Sequence, residues 1–181
     1  MTALIDYVAL LRGINVGGKN SVSMADLKAD FEALNFTNVR SYINSGNLLF
    51  QSAIADPAVL ERLIEVAIAR HFSVPIKVMV RSAAAIATII SHLPESWQHP
   101  ADKRCNVIFL SRSIDTPMIV NEFHPKPLIE ELHYVPGALL WSANLDTLTR
   151  STMLKVSSSP LYANMTIRGL NTTRRLHALL Q

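Results

Sequence analysis

Apolar residues in this chain come in short consecutive runs separated by polar, glycine-containing stretches. The strongest runs are VALL at 8–11, LLF at 48–50, VIFL at 107–110 and LLW at 139–141. A strand with one wet face alternates apolar and polar positions, so consecutive apolar residues predict strands covered on both faces. In the first half, LIDYVALL at 4–11 reads as a strand, followed by a polar glycine-rich loop at 12–22. Ser23 and Asp26 then give a capping-box spacing. Met24, Leu27, Phe31 and Leu34 fall on one helical face, and Asn35 suits a left-handed cap. Strands over 38–43 and 47–51 flank Asn44-Ser45-Gly46, small residues that accept the positive φ of a tight hairpin. Asp56 and Pro57 open a second helix, with Leu60, Leu63, Ile64, Ala67 and Ile68 as its expected buried stripe. PIKVMV at 75–80 closes a βαββαβ order, and a short alanine-rich helix runs over 82–91.

The same order is predicted again: strand 105–111, helix 115–123, strands 131–135 and 138–142, helix 144–155, an extended segment at 161–167 and a last helix at 171–180. Val8-Ala9-Leu10-Leu11-Arg12 aligns with Val107-Ile108-Phe109-Leu110-Ser111, and Gly46-Asn47-Leu48-Leu49-Phe50 with Gly137-Ala138-Leu139-Leu140-Trp141. The fold class expected is α+β: two tandem ferredoxin-like units with largely antiparallel sheets, plus a C-terminal helix. The first unit is placed at 1–91 with its connecting helix, a linker rich in proline and mixed charge at 92–104, and the second unit at 105–181.

Size and composition are compatible with that plan. A chain of 181 residues with 49% hydrophobic and 17% charged residues has ample material for a core. The lone thiol, Cys105, cannot form an intramolecular disulfide, which points to a reducing compartment and a cytoplasmic protein. The N-terminal apolar run is broken by Asp6 and reads as a first strand rather than a signal peptide, and no run is long enough to cross a membrane. Net charge is only +3, but no Asp or Glu follows Asp146, whereas Arg150, Lys155, Arg168, Arg174 and Arg175 do. The C-terminal fifth is therefore a basic surface, either a solvated helix face or an attractor of phosphate-bearing partners.

Three segments carry candidate chemistry. Gly13-Ile14-Asn15-Val16-Gly17-Gly18-Lys19-Asn20 approaches the phosphate-loop pattern, in which glycines expose backbone N–H groups to an anion, but Asn20 stands where the Mg²⁺-binding hydroxyl belongs. A looser anion-binding loop and a structural glycine turn both remain open. In a βαβ arrangement the hairpin tip at 44–46 emerges at the same end as the 12–22 loop. Arg12, Asn15, Gly17, Gly18 and Lys19 thus meet Asn44, Ser45 and Asn47 at one mouth, where the polar side chains either face a ligand or satisfy turn backbone. The third segment, around Arg168, Asn171 and Thr172, leads into the last helix; Arg168 is a candidate clamp for phosphate or carboxylate. The six histidines show no metal-ligand spacing, no cofactor motif is present, and no acid, base or nucleophile can be assigned.

The motifs LLRGINVGGKN, NFTNVRSYINSGNLLF and the terminal T-x-R-x-x-N-T-x-x-x-L resemble the bacterial family called domain of unknown function 1697 over essentially the whole chain. The resemblance implies a cytoplasmic protein without an established activity, and directs attention to the candidate residues already named, together with Gly46. The family pattern favours asparagine where this chain has Gly169.

Three readings of function follow. The first is a site for an anionic small molecule, bearing phosphate or carboxylate, at the mouth formed by loop 12–20 and turn 44–47. The second is a nucleic-acid-binding module using the basic C-terminal region, suggested by a sequence pI near 9.2 but lacking the aromatic signature of an RNA-recognition sheet. The third is a protein-interaction unit without a small ligand. The sequence leaves the oligomeric state open.

Overall fold

The computed structural model describes residues 3–16 and 21–181. The chain divides into two compact units, Met1–Ile86 with Leu176–Gln181, and Ala87–Arg175. The first holds β1 (Ile5–Leu11), α1 (Met24–Ala33), β2 (Thr37–Ser41), β3 (Asn47–Ser52), α2 (Pro57–Phe72) and β4 (Val78–Ser82), and the helix α3 (Ala83–Ser91) follows. In the second, β5 (Lys103–Leu110), α4 (Ile119–Phe123), β6 (Glu130–Val135), β7 (Ala138–Asn144) and β8 (Met165–Gly169) precede α5 (Leu170–Leu179). The segment at 92–104 contains a 3₁₀ turn, Glu95–Trp97, whose Trp97 is fully buried, and the first residues of β5.

Each unit carries a four-stranded sheet, ordered β2-β3-β1-β4 and β6-β7-β5-β8, with every neighbouring pair antiparallel. The pairs made by the central strands correspond residue for residue, while β2-β3 carries a register shift between Thr37 and Arg40 that β6-β7 lacks. Val8 lies opposite Leu49 and Arg81 in the first sheet, as Val107 lies opposite Leu140 and Arg168 in the second. The C-terminal helix is therefore the counterpart of α3, each following the edge strand of its sheet. Consecutive residues of the central strands are buried, Val8 to Leu11 and Val107 to Leu110 all at 0% exposure, which accounts for the unbroken apolar runs.

Local signals set the first unit's helices. Ser23 Oγ accepts from the Asp26 N–H at 3.3 Å, Asn35 follows α1 with φ 61°, and Asp56 accepts from the Ala58 N–H at 2.9 Å with Pro57 in the first turn. Leu60, Ile64 and Ile68 face the core, whereas Leu63 lies at the surface: the stripe follows i, i+4, i+8. Around them Tyr7, Phe31, Phe36 and Phe50 pack as an aromatic cluster, with Phe36 and Phe50 centroids 4.6 Å apart. Glu65 and Glu61, one turn apart on α2, accept from the N–H groups of Val78 and Val80 at 3.0 and 2.9 Å. These two carboxylates occupy donors of β4, an edge strand, that no strand pairs.

The second unit departs from its expected helices. In place of a helix over 144–155, β7 extends to Asn144 and 3₁₀ segments follow at Leu148–Arg150, Thr152–Ser158 and Pro160–Asn164. Thr147, Thr149, Ser151, Thr152 and Ser157 to Ser159 offer the backbone competing side-chain partners, and Pro160 interrupts any continuous helix. Helix 115–123 shortens to Ile119–Phe123 because Pro117 disfavours helical backbone before it and Asp115 is engaged elsewhere.

Candidate functional site

In the first unit the loop after β1 is anchored in the core at both ends, by Ile14 at 0% and Val22 at 4% exposure. Between these anchors Asn15, held at φ 53°, closes the neck of the loop with its side chain. Its Oδ1 accepts from the Val22 N–H at 2.8 Å, while Nδ2 donates to the Val22 carbonyl at 2.9 Å and to the Asn44 carbonyl at 3.0 Å. The amide thus acts as one residue of strand pairing toward Val22 and as a tether to the hairpin tip. The described neck of the loop and the hairpin tip lie side by side. A second link joins the Leu11 N–H to the Gly46 carbonyl at 2.8 Å.

The candidate residues of this mouth take different roles. Asn47 is fully buried, and its Nδ2 donates to the Tyr42 carbonyl at 3.1 Å and to Ser45 Oγ at 3.3 Å, shaping the hairpin tip. Asn44 is exposed and offers its carbonyl to Asn15. Arg12 is half-buried, and its backbone N–H donates to the Lys77 carbonyl at 2.9 Å. Gly46, at φ 77°, leaves no room for a side chain, since an added Cβ would lie 2.9 Å from Ile14 Cγ1 and from Leu11 Cβ. Gly17, Gly18 and Lys19 lie outside the described residues.

Arg168, Asn171 and Thr172 belong to the second unit. Arg168 is 8% exposed on β8, and its Nη1 turns back along its own strand to Thr166 Oγ1 at 2.8 Å and the Ile167 carbonyl at 3.0 Å. Burial lowers its pKa to about 10. Its counterpart in register, Arg81, makes the same turn, Nη1 to the Val80 carbonyl at 2.9 Å. Asn171 and Thr172 line a cleft of about 250 Å³ beside Lys103, Arg104 and Asn106, at the start of α5. Lys103 is also paired with Glu131 at 3.2 Å.

The buried carboxylate of Glu130 carries no signal in the sequence pattern. Its Oε2 accepts from Trp141 Nε1 at 2.7 Å, and Oε1 from the N–H groups of Thr152 and Lys126 at 2.9 and 3.1 Å. Burial opposes ionisation most, but these three hydrogen bonds outweigh it and hold the pKa below the usual glutamate value. Among the described residues no three His, Cys, Asp or Glu side chains gather as a metal site, and no helix is long and apolar enough to cross a membrane.

Fold and site together define an α+β protein of two repeated units, with a glycine-rich loop latched to the hairpin tip of the first. The chain belongs to the family described as protein of unknown function DUF1697, whose profile matches residues 4–141. Among solved structures it is similar to that of the conserved bacterial protein SP0830 from Streptococcus pneumoniae. That match has 28% identity and a TM-score of 0.88, over 99% of this chain and 100% of the other. No curated protein matches the sequence.

Proposed function

We propose that this is a cytoplasmic, duplicated ferredoxin-like protein that binds an anionic small molecule, bearing phosphate or carboxylate, at the mouth between loop 12–20 and turn 44–47. The order β2-β3-β1-β4 with all-antiparallel pairing supports the ferredoxin-like reading of each unit. A single observation carries the site: Asn15 Nδ2 reaches both the Val22 and Asn44 carbonyls, so the neck of the glycine-rich loop and the hairpin tip are held together. Asn15 and Asn47 hold this framework with their amides, and Arg12, Lys19 and the N–H groups of Gly17 and Gly18 are the proposed ligand contacts.

Thermal-shift and calorimetric titration with inorganic phosphate, pyrophosphate, sugar phosphates and dicarboxylates tests the reading. Stabilisation of about 1 kcal/mol or more is expected at ligand several times above Kd, weakened about tenfold by Lys19→Ala and by Arg12→Ala. Absence of stabilisation with every anion refutes it. Perturbations confined to Asn171 and Thr172 would move the same chemistry to the cleft at the start of α5, a second reading favoured by Lys103 and Arg104 in its lining. A nucleic-acid role through stacking on the sheet finds no support, since Tyr7, Phe50, Phe109 and Trp141 are at most 2% exposed.

A further inference from the structure

A different cleft, in the second unit, contains a hydroxyl that the fold leaves without a task. A serine directly ahead of a helical turn ordinarily accepts from an N–H of that turn. Ser159 does so before Pro160–Asn164, taking the Leu161 N–H at 3.2 Å. Ser151 holds the equivalent place before Thr152–Ser158, yet its side chain caps nothing. The N–H of the next residue, Thr152, goes to Glu130 Oε1 at 2.9 Å. Ser151 is 4% exposed, and its Oγ has no hydrogen-bond partner among the described residues. A buried hydroxyl in that state costs free energy unless a partner arrives from outside the chain.

Ser151 lines a cleft of about 240 Å³ together with Glu122, Lys126, Lys155, Val156 and Leu161. Lys126 Nζ gives one proton to the Arg150 carbonyl at 2.7 Å and keeps two, while Lys155 is exposed. Two ammonium groups against the one carboxylate of Glu122 leave the lining at +1, which a monoanion balances and a phosphate dianion exceeds. Val156 and Leu161 give it an apolar wall. The volume lies below that of drug-sized sites.

We propose that this cleft binds a small monocarboxylate with a short apolar chain, its carboxylate accepting from Ser151 Oγ and the two lysines. The site is independent of the mouth in the first unit, so either can fail alone.

The test is titration of the full chain with acetate, butyrate and hexanoate, alongside butanol and butylamine, followed by calorimetry and by amide NMR shifts. Affinity is expected to rise from acetate to hexanoate, by up to about fourfold per methylene. Butanol and butylamine are expected not to bind, and shifts should gather at 122–126 and 151–161. Ser151→Ala is expected to weaken butyrate about tenfold while leaving the melting temperature unchanged or raised, because it removes an orphan hydroxyl. Lys155→Ala, an exposed change, is expected to weaken the carboxylates and leave the melting temperature unchanged. The proposal is overturned by absence of saturable carboxylate binding, by equal binding of butanol, by shifts elsewhere in the chain, or by a lowered melting temperature in Ser151→Ala, which would reveal an internal partner for the hydroxyl.

Discussion

Both units hook the tip of their central hairpin with an Asx side chain that follows an isoleucine just after the first strand, but the two hooks have opposite polarity. In Ile14-Asn15 the amide donates to the Asn44 carbonyl at 3.0 Å. In Ile114-Asp115 one carboxylate oxygen accepts from the Gly137 N–H at 2.9 Å and from the Tyr134 hydroxyl at 3.0 Å. The central strands pair in the same register in both units, and each unit ties its hairpin tip with the chemistry its own loop supplies. The first unit surrounds the tie with glycines and a lysine, the second with a short 3₁₀ turn at Arg112–Ile114 that lacks them. The glycine-rich sequence around the tie is thus peculiar to the first unit, on a scaffold that both units share.

The largest test of this contrast concerns the carboxylates that replace missing backbone partners. In the second unit Glu130 alone joins Trp141, Lys126 and Thr152, whereas in the first Glu61 and Glu65 divide the work along β4. Glu130→Ala orphans three donors, and a loss of about 3–4 kcal/mol is expected. Denaturation followed by tryptophan fluorescence reads it, since both tryptophans, Trp97 and Trp141, lie in the second unit. The two units also respond to acid with opposite sign. The folded pKa of Glu130 is lowered, so its contribution is present above the ordinary value near 4.5 and lost as pH falls through the lowered one. Burial raises the pKa of Glu61, outweighing the Val80 N–H and Arg81, so its contribution is complete below that value and lost as pH rises through the raised one. Hydrogen exchange below pH 4.5 is expected to lose protection in β7 before β3, and Glu130→Gln to abolish that order.

Next in size is Gly46→Ala. It combines a strained φ of 77° with a Cβ only 2.9 Å from Leu11 Cβ, an atom fixed to the central strand. A cost of about 2–4 kcal/mol follows, with exchange protection lost first in β3. Gly46→Asn separates the causes, because asparagine tolerates positive φ but carries the same Cβ. If it restores stability, the close approach is not what requires glycine.

Much of this architecture is legible in the sequence because its signals are local. Ser23, Asp56 and the Asn44-Ser45-Gly46 turn act on backbone within three residues, and consecutive apolar runs mark the central strands wherever they pack. The segment 145–164 defeats such reading. Its serines and threonines offer the backbone local alternatives, and the group that organises its start, Glu130, is 22 residues from Thr152. Arg168 is hard to read for a related reason: no local signal shows that its guanidinium turns along its own strand, as that of Arg81, its equivalent in register, does. Extending the repeat alignment from the strands to Val80-Arg81-Ser82 and Ile167-Arg168-Gly169 reveals that equivalence. Side-chain partners across the sheet remain invisible to any local pattern.

A smaller effect tests the polarity of the hooks. Asp115→Ala is expected to cost about 1.5–2 kcal/mol by freeing the Gly137 N–H and the Tyr134 hydroxyl. Asp115→Asn is expected to cost about 0.5 kcal/mol, since both donors use one oxygen that an amide also supplies. The phenol of Tyr134 reports the charge independently. Burial first, and then Asp115, raise its pKa, so Asp115→Asn should move its ultraviolet titration toward the ordinary value near 10. An Asn variant as unstable as the Ala variant would show that the second hook depends on its charge and not on its oxygen.

The smallest effect has the opposite direction. Ser82 and Gly169 are equivalent in register and stand immediately before α3 and α5. Ser82 Oγ accepts from the Ala85 N–H at 3.1 Å and caps its helix, a bond Gly169 has no side chain to make. Gly169 has no positive φ, and a Cβ there would meet nothing within 4 Å. Gly169→Ser should therefore install the first unit's cap in the second, and Gly169→Asn should do the same. The gain expected is about 0.3 kcal/mol, or roughly 1 °C in melting temperature, with slower exchange at the start of α5. A loss of stability in both variants would mean that this junction requires glycine for a reason the repeat does not share, and would end the equivalence of the two units at their last strands.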